Sequence, residues 1–382
     1  MTGNKSNNLR RNPVLSVLLP NHNGAAYLKE ALNSVLDQSF KDFELLVIDD
    51  ASTDNSLQIL ESYKDPRLVI LRLPENLGIT GVLNYALEQA RGEFIARMDA
   101  DDVCLPKRFE EQLDFLALHP EITVVSSRAI EIDENGRPNG VIRPAFSGTS
   151  CWTAWELIWS NPIVHPCAMM RKSAVMDAGK YPASADSLHC EDYALWIELL
   201  LKKKDFAVID RIHLCYRMHP GQITSHHFAE GLERTAEWSG RLINSIVGHL
   251  PEKRLVEIAR LNPVTHAPSC DEIVQAFELI RSVGDRFIID GWRHGISKNE
   301  LDTWIKKRSM TMLDYYSGID VREYFQLLKK LLPYAAGNIS AFRIAKIIAR
   351  RILPDSVYKS GVGLKNRLRR RFGEKSLRNL MR

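Results

Sequence analysis

The chain has 382 residues, 45% hydrophobic and 26% charged, which suits roughly two globular domains and excludes a low-complexity or collagen-like polymer. The formal charge of +4 is unevenly spread: residues 341–382 hold 13 Lys/Arg against Asp355 and Glu374, a net +11 that leaves 1–340 at −7. The six cysteines are scattered, with no C-x-x-C pair and no metal-ligand spacing, so reduced, mostly buried thiols in a cytosolic protein are expected rather than a disulfide framework.

Residues 1–12 are polar and basic, lack the apolar core of a signal peptide and read as a disordered tail. No run reaches the roughly 18 apolar residues of a transmembrane helix. Strand and helix patterns then alternate: strand Val14 to Leu19, helix Ala26 to Gln38, strand Phe43 to Ile48, helix Ser56 to Tyr63. Strand Arg67 to Leu73, helix Thr80 to Ala90, strand Phe94 to Met98, helix Pro106 to Leu118 and strand Ile122 to Ser126 follow. Strands that are apolar throughout and alternate with helices predict an α/β fold with a parallel sheet covered on both faces. Residues 128–165, rich in Pro, Gly and Trp, read as an irregular loop region, and Glu191 to Leu201 as an amphipathic helix. From about Glu230 the pattern is helical with Pro breaks. The expected organisation is a tail at 1–12, an α/β unit at 13–235, a helical region at 236–340 and a basic amphipathic tail at 341–382.

Polar motifs fall where the strands end, at the edge where open parallel sheets bind ligands. Asn21-His22-Asn23-Gly24 follows the first strand and Asp49-Asp50-Ala51-Ser52-Thr53-Asp54 the second. Asp54 is the natural helix cap; this leaves Asp50 free to accept an N–H from a nucleotide base. Asp99-Ala100-Asp101-Asp102 follows the fourth strand. Carboxylates this close repel unless a cation sits among them, and an oxygen-only cluster suits Mg²⁺ or Mn²⁺; the alternative is a solvated acidic turn ahead of the next helix. No G-x-G-x-x-G or G-x-x-x-x-G-K-[ST] is present, which disfavours a dinucleotide fold or a P-loop. Glu191-Asp192 opens a helix, either complementing its dipole or supplying a general base. His219 stands before Pro220 as a turn residue or a ligand of the metal or diphosphate, and His226-His227 reads as a surface pair.

Five ordered motifs resemble a family 2 glycosyltransferase of the GT-A fold: Val17-Leu18-Leu19-Pro20-Asn21-His22-Asn23, Val47 to Asp54, Asn76-Leu77-Gly78, Gly92 to Asp102 and Glu191 to Trp196. The resemblance covers about residues 14–225 and implies a bacterial polysaccharide or lipopolysaccharide enzyme. It implies that Pro20 and His22 line the nucleotide base, with His22 where the family usually has Tyr. It further implies that Asp50 binds the base edge, that Asp99 contacts the ribose and that Arg97 helps hold the nucleotide sugar. Asp101 would ligate Mg²⁺ or Mn²⁺, with His219 near the diphosphate; Asp192 would be the catalytic base with Glu191 beside it. The implied reaction is inverting, metal-dependent hexosyl transfer from a nucleotide-diphosphate sugar, a UDP-sugar first, to a hydroxyl of a glycan or lipid-linked acceptor.

The basic tail places Ile344, Ala345, Ile348 and Ile352 on one helical face and Arg343, Lys346 and Arg350 on the other. It reads either as a solvated end packed on the body or as an anchor to an anionic membrane surface. The corresponding location is cytoplasmic, peripheral on the inner membrane. No nucleic-acid-binding module accompanies the charge, so nucleic acid is not an expected partner. Rival readings are a sugar-nucleotide nucleotidyltransferase, which should carry a Gly- and Lys/Arg-rich loop after the first strand, and a catalytically silent nucleotide-sugar-binding module.

Overall fold

The computed structural model describes residues 12–144, 146, 148, 150–222, 227–264, 266–289, 296–316, 326–327 and 330–331. It divides into two units, 1–245 and 246–382.

In the first unit, β1 (Leu15–Asn21), β2 (Phe43–Asp49), β3 (Leu68–Arg72) and β4 (Phe94–Arg97) form a parallel block in the order β3-β2-β1-β4. The helices between them are α1 (Leu28–Leu36), α2 (Ser56–Ser62) and α3 (Gly78–Gln89). Every residue of β1 and β2 is buried, as expected for central parallel strands covered on both faces. Leu15, Val17, Leu19, Val35, Val47 and Leu60 meet in the core; burying each contributes up to about 1.5–3 kcal/mol. Where the chain enters β4, a Cβ on Gly92 would stand 2.5 Å from the Ser16 amide N, so only glycine permits this approach.

Past β4 the directions mix. β5 (Val103–Cys104) and α4 (Arg108–Leu118) precede the long β6 (Ile122–Ile132) and β7 (Pro138–Arg143). β8 (Met169–Arg171) runs antiparallel between β4 and β6, and α6 (Lys172–Asp177) follows it. α7 (Glu191–Leu201) leads into β9 (Asp205–Arg217), which lies parallel to β6 and antiparallel to β5. Arg108 is fully buried on α4. Its Nη2 donates to the carbonyls of Arg97 (2.8 Å) and Ala168 (3.2 Å) and its Nε to Gln112 (3.1 Å). A charge inside the core is thereby partnered and pins the exit of β4.

The irregular stretch expected at 128–165 is corrected: it holds the end of β6, all of β7, and helix α5 (Ser150–Trp159). Seven of the ten residues of α5 are buried, Trp155 and Trp159 among them, so the helix lacks the polar face that creates a visible period. β6 continues past Ser126 because Glu131 is buried but partnered, by Asn139 (2.8 Å) and Arg143.

α8 (Phe228–Val247) reaches the boundary between the units. The second unit contains α9 (Lys253–Arg260), α10 (Cys270–Ile289) and α11 (Lys298–Tyr315). α11 opens on a Ser297/Glu300 capping box, and Arg308 on it donates to the Ala259 carbonyl at 2.7 Å. No helix among the described residues is long and apolar enough to cross a membrane. The tail at 1–11, His226 and the basic segment 341–382 lie outside the described residues.

Candidate functional site

The site is built from four strand ends and one helix N-terminus. At the first, the turns after β1 and β2 lock together. Asn21 Nδ2 donates to Asp49 Oδ1 (2.9 Å) and Ser52 Oγ (3.1 Å), and Asn23 Oδ1 accepts the Thr53 N–H (2.8 Å). Asn23 (φ 53°) and Ala51 (φ 55°) take left-handed turns. Pro20 is buried within β1 opposite Ile48. His22 Nδ1 lies 2.6 Å from the Asp50 carbonyl and 3.2 Å from Asn76 Nδ2. Asp54 accepts the Ser56 N–H (2.9 Å) at the start of α2. Asp50, left without a structural task by the sequence, has one: Oδ1 accepts the Leu77 N–H (2.7 Å) and Oδ2 the Gly78 N–H (3.1 Å), capping α3. A carboxylate oxygen has more than one acceptor site, so the cap leaves capacity for a base N–H.

At the end of β4, Asp99, Asp101 and Asp102 each bring a carboxylate oxygen within 4.8 Å of the others. The buried Arg97 guanidinium pairs with Asp99. Burial raises the Asp99 carboxyl above the usual range; Asp101 and Asp192 add to this and Arg97 opposes it. Burial raises Asp102 further, reinforced by Asp99 and Asp101. Asp102 Oδ1 accepts the Arg217 N–H (2.8 Å), while Oδ2 is buried without a hydrogen-bond partner. Asp101 Oδ2 stands 2.9 Å from His219 Nε2. An oxygen-rich cluster of mutually repelling carboxylates with an orphaned buried oxygen fits a hard divalent cation.

Arg217, at the end of β9, closes this loop. It donates from Nε to the Asp101 carbonyl (2.7 Å), from Nη1 to the carbonyls of Asp133 (3.3 Å) and Glu134 (3.2 Å), and from Nη2 to Glu30 (2.6 Å). Its guanidinium also lies over the Tyr27 ring.

At the N-terminus of α7, Asp192 Oδ1 accepts the Tyr193 N–H (2.6 Å) and Oδ2 accepts from Asn161 Nδ2 (2.9 Å). The Asn161 Oδ1 in turn accepts the Ile163 N–H (3.2 Å), which fixes the amide so that its N–H₂ faces Asp192. Burial raises the Asp192 carboxyl, with these two hydrogen bonds opposing. Burial, then Asp192, push Glu191 up to about 7, and its Oε2 is buried without a hydrogen-bond partner. Tyr181 feels the charges of Arg97, Asp192, Glu191 and Asp99, and its hydroxyl lies 2.9 Å from His165 Nε2. Burial and Arg97 hold His165 neutral, its pKa well below the ordinary value.

The structure therefore gathers Arg97, Asp99, Asp101, His219, Glu191 and Asp192 into one electrostatic neighbourhood. Pro20, His22 and Asp50 form an adjoining group on β1 and β2. With β1 between β2 and β4, the Asp50 strand lies about 10 Å from the Asp99 strand. Sequence reasoning missed Asn161, His165, Tyr181, Arg108 and Arg217. The first two lie in the stretch taken as irregular; Arg217, two residues before His219, was within reach of a motif reading.

A parallel β3-β2-β1-β4 block with an acidic cluster past β4 defines a GT-A type α/β protein. Residues 16–179 match the model of glycosyl transferase family 2. The uncharacterized glycosyltransferase MJ1057 of Methanocaldococcus jannaschii is 32% identical over 54% of this chain and 71% of its own length. The amylovoran biosynthesis glycosyltransferase AmsE of Erwinia amylovora is 33% identical over 45% of this chain and 64% of its own length, so the chain spans just under two thirds of that relative. The UDP-Glc:α-D-GlcNAc-diphosphoundecaprenol β-1,3-glucosyltransferase WfgD of Escherichia coli is 28% identical over 57% of this chain and 82% of its own. The chain belongs to glycosyl transferase family 2.

Proposed function

We propose that the protein transfers a sugar, with inversion, from a nucleoside-diphosphate donor to a hydroxyl of a glycan or lipid-linked acceptor in surface polysaccharide synthesis. The observation that carries this reading is the Asp99/Asp101/Asp102 cluster, with carboxylate oxygens within 4.8 Å of one another past β4 and Asp192 near enough for its charge to help raise Asp99. Mg²⁺ or Mn²⁺ held by Asp101 with His219 would act as a Lewis acid toward the diphosphate. Asp99 would contact the ribose, and Asp50, Pro20 and His22 the base. Arg97, buried with Nη1 paired to Asp99 and Nε lacking a hydrogen-bond partner, offers a donor to the sugar or diphosphate. Asp192 takes the acceptor proton: an alcohol is a weak nucleophile, and a held carboxylate that removes its proton during attack contributes about 10²–10⁴-fold. Asn161 keeps one Asp192 oxygen engaged, and Glu191 stores a proton beside it.

WfgD, by its name, uses UDP-Glc and a diphosphoundecaprenol-linked sugar. That supports a UDP-sugar as the first donor to try and a lipid-linked acceptor, which the basic segment 341–382 would reach from the cytoplasmic membrane face. Turnover of a UDP-sugar panel with Mn²⁺, compared between wild type and Asp192→Asn, tests the reading. Loss of transfer with donor binding kept supports it; near-normal turnover by the variant overturns the base assignment.

A further inference from the structure

We propose that His189, His227 and Glu230 form a second metal site, one that takes Zn²⁺ and is chemically distinct from the oxygen-only cluster at Asp99–Asp102. The three side chains bring ligand atoms within 4.8 Å of one another. Glu230 Oε2 is nearly equidistant from His189 Nε2 (3.8 Å) and His227 Nδ1 (3.7 Å). Tetrahedral zinc with bonds of about 2.0–2.2 Å needs ligand atoms somewhat over 3 Å apart, so a contraction of a few tenths of an ångström brings the carboxylate to both nitrogens. His227 and Glu230 stand three residues apart at the start of α8, one turn on the same face.

The two imidazoles are stacked, centroids 3.8 Å apart and planes within 6°. Their lone pairs then run side by side, and an ion between them requires a ring to turn. Side-chain exposures of 42% for His227 and 59% for Glu230 leave that rotation open, whereas His189 at 18% is the fixed member. The frame is already held by other contacts. Trp238 Nε1 donates to the Asp186 carbonyl (3.0 Å) and Arg234 Nη1 to the Leu188 carbonyl (2.6 Å). A Cβ on Gly231 would lie 2.7 Å from the His189 carbonyl oxygen, so α8 meets this turn backbone to backbone. His189 itself takes a left-handed φ of 64°, which turns the chain into Glu191. Two imidazoles and one carboxylate suit zinc, while Mg²⁺ and Mn²⁺ favour the all-oxygen set. Three protein ligands leave a fourth position open to water. The bound ion ties the first turn of α8 to a residue two positions before Glu191, at the edge of the proposed acceptor side.

The test is zinc titration of the untagged full-length chain against a fluorescent zinc indicator, with Co²⁺ loading followed by visible absorption. Wild type is expected to bind one more equivalent than the His189→Ala/His227→Ala double variant. Glu230→Gln, an exposed change that should not disturb folding, is expected to weaken that equivalent at least tenfold. Asp101→Asn is expected to keep it, and Co²⁺ should give the intense visible bands of a tetrahedral site in wild type and Asp101→Asn but not in the double variant. Far-UV circular dichroism confirms that each variant is folded. Equal zinc stoichiometry and affinity in wild type, the double variant and Glu230→Gln would overturn the site. So would loss of the equivalent in Asp101→Asn, which would assign the ion to the acidic cluster.

Discussion

The Arg217 main-chain N–H donates to Asp102 Oδ1 at 2.8 Å, and the same residue's Nε donates to the Asp101 carbonyl at 2.7 Å. One residue of β9 thus fixes the acidic loop that follows β4, through both backbone and side chain. A metal-binding loop gains affinity when its carboxylates are held in place before the ion arrives.

Replacing Arg217 by Ala should therefore weaken metal-dependent nucleotide binding without touching a ligand. It also strips three carbonyls and Glu30 of a buried donor, at a cost on the order of 3 kcal/mol. Chemical denaturation gives the stability loss. Isothermal titration of UDP with Mn²⁺, on protein kept well below its unfolding midpoint, gives the binding loss.

Asn161→Ala removes a hydrogen bond that favours the ionised form of Asp192. The Asp192 carboxyl should rise further, because burial is then opposed by one hydrogen bond fewer. The acid limb of the kcat/KM profile should move to higher pH while the plateau is largely kept. An unmoved acid limb would show that Asn161 does not set the base.

Glu191 is raised to about 7 by burial and by Asp192, from an ordinary 4.5. A raised carboxyl means that the folded state binds the proton more tightly than the unfolded chain. The ionisation penalty is therefore absent below about pH 4.5, grows through the window and is complete above about 7. Glu191→Gln removes it, so its Tm should exceed that of wild type at pH 8 by more than at pH 5. Melting curves in EDTA at the two pH values check this; a difference that shrinks with rising pH would contradict the assignment.

The basic segment predicts attachment to anionic lipid, each basic residue near the surface contributing on the order of 1 kcal/mol. Full-length protein should co-sediment with phosphatidylglycerol-containing liposomes and lose this on deletion of 341–382 or in high salt. Equal sedimentation of both forms would remove the proposed anchor.

Much of the first half was legible in the sequence because its strands are mostly apolar, with only Ser16 and Glu44 interrupting β1 and β2 before their polar ends. The β1 to β4 block and the placement of Asp50 and Asp99–Asp102 at strand ends follow from that pattern alone. α5 was not legible: seven buried residues in ten erase the helical period, and its tryptophans resemble a loop's aromatic decoration. With α5 unseen, Asn161 and His165 had no frame. Arg217 lay beside His219 in the sequence, but its partners, three carbonyls and the distant Glu30, are brought to it only by folding. Asp50 shows the converse: its position was read correctly, but its caps on Leu77 and Gly78 join parts of the chain that only folding brings together.

The central claim is a divided site, in which Asp101 serves the metal and nucleotide and Asp192 serves the acceptor. The direct measurement is titration of UDP, GDP and dTDP, each with Mn²⁺ and with EDTA, into wild type, Asp101→Asn and Asp192→Asn. At least one nucleotide should bind wild type and Asp192→Asn alike in Mn²⁺, and bind at least tenfold more weakly to Asp101→Asn or in EDTA. Binding that ignores Mn²⁺ and Asp101→Asn, or no binding of any of the three to wild type, would contradict the account.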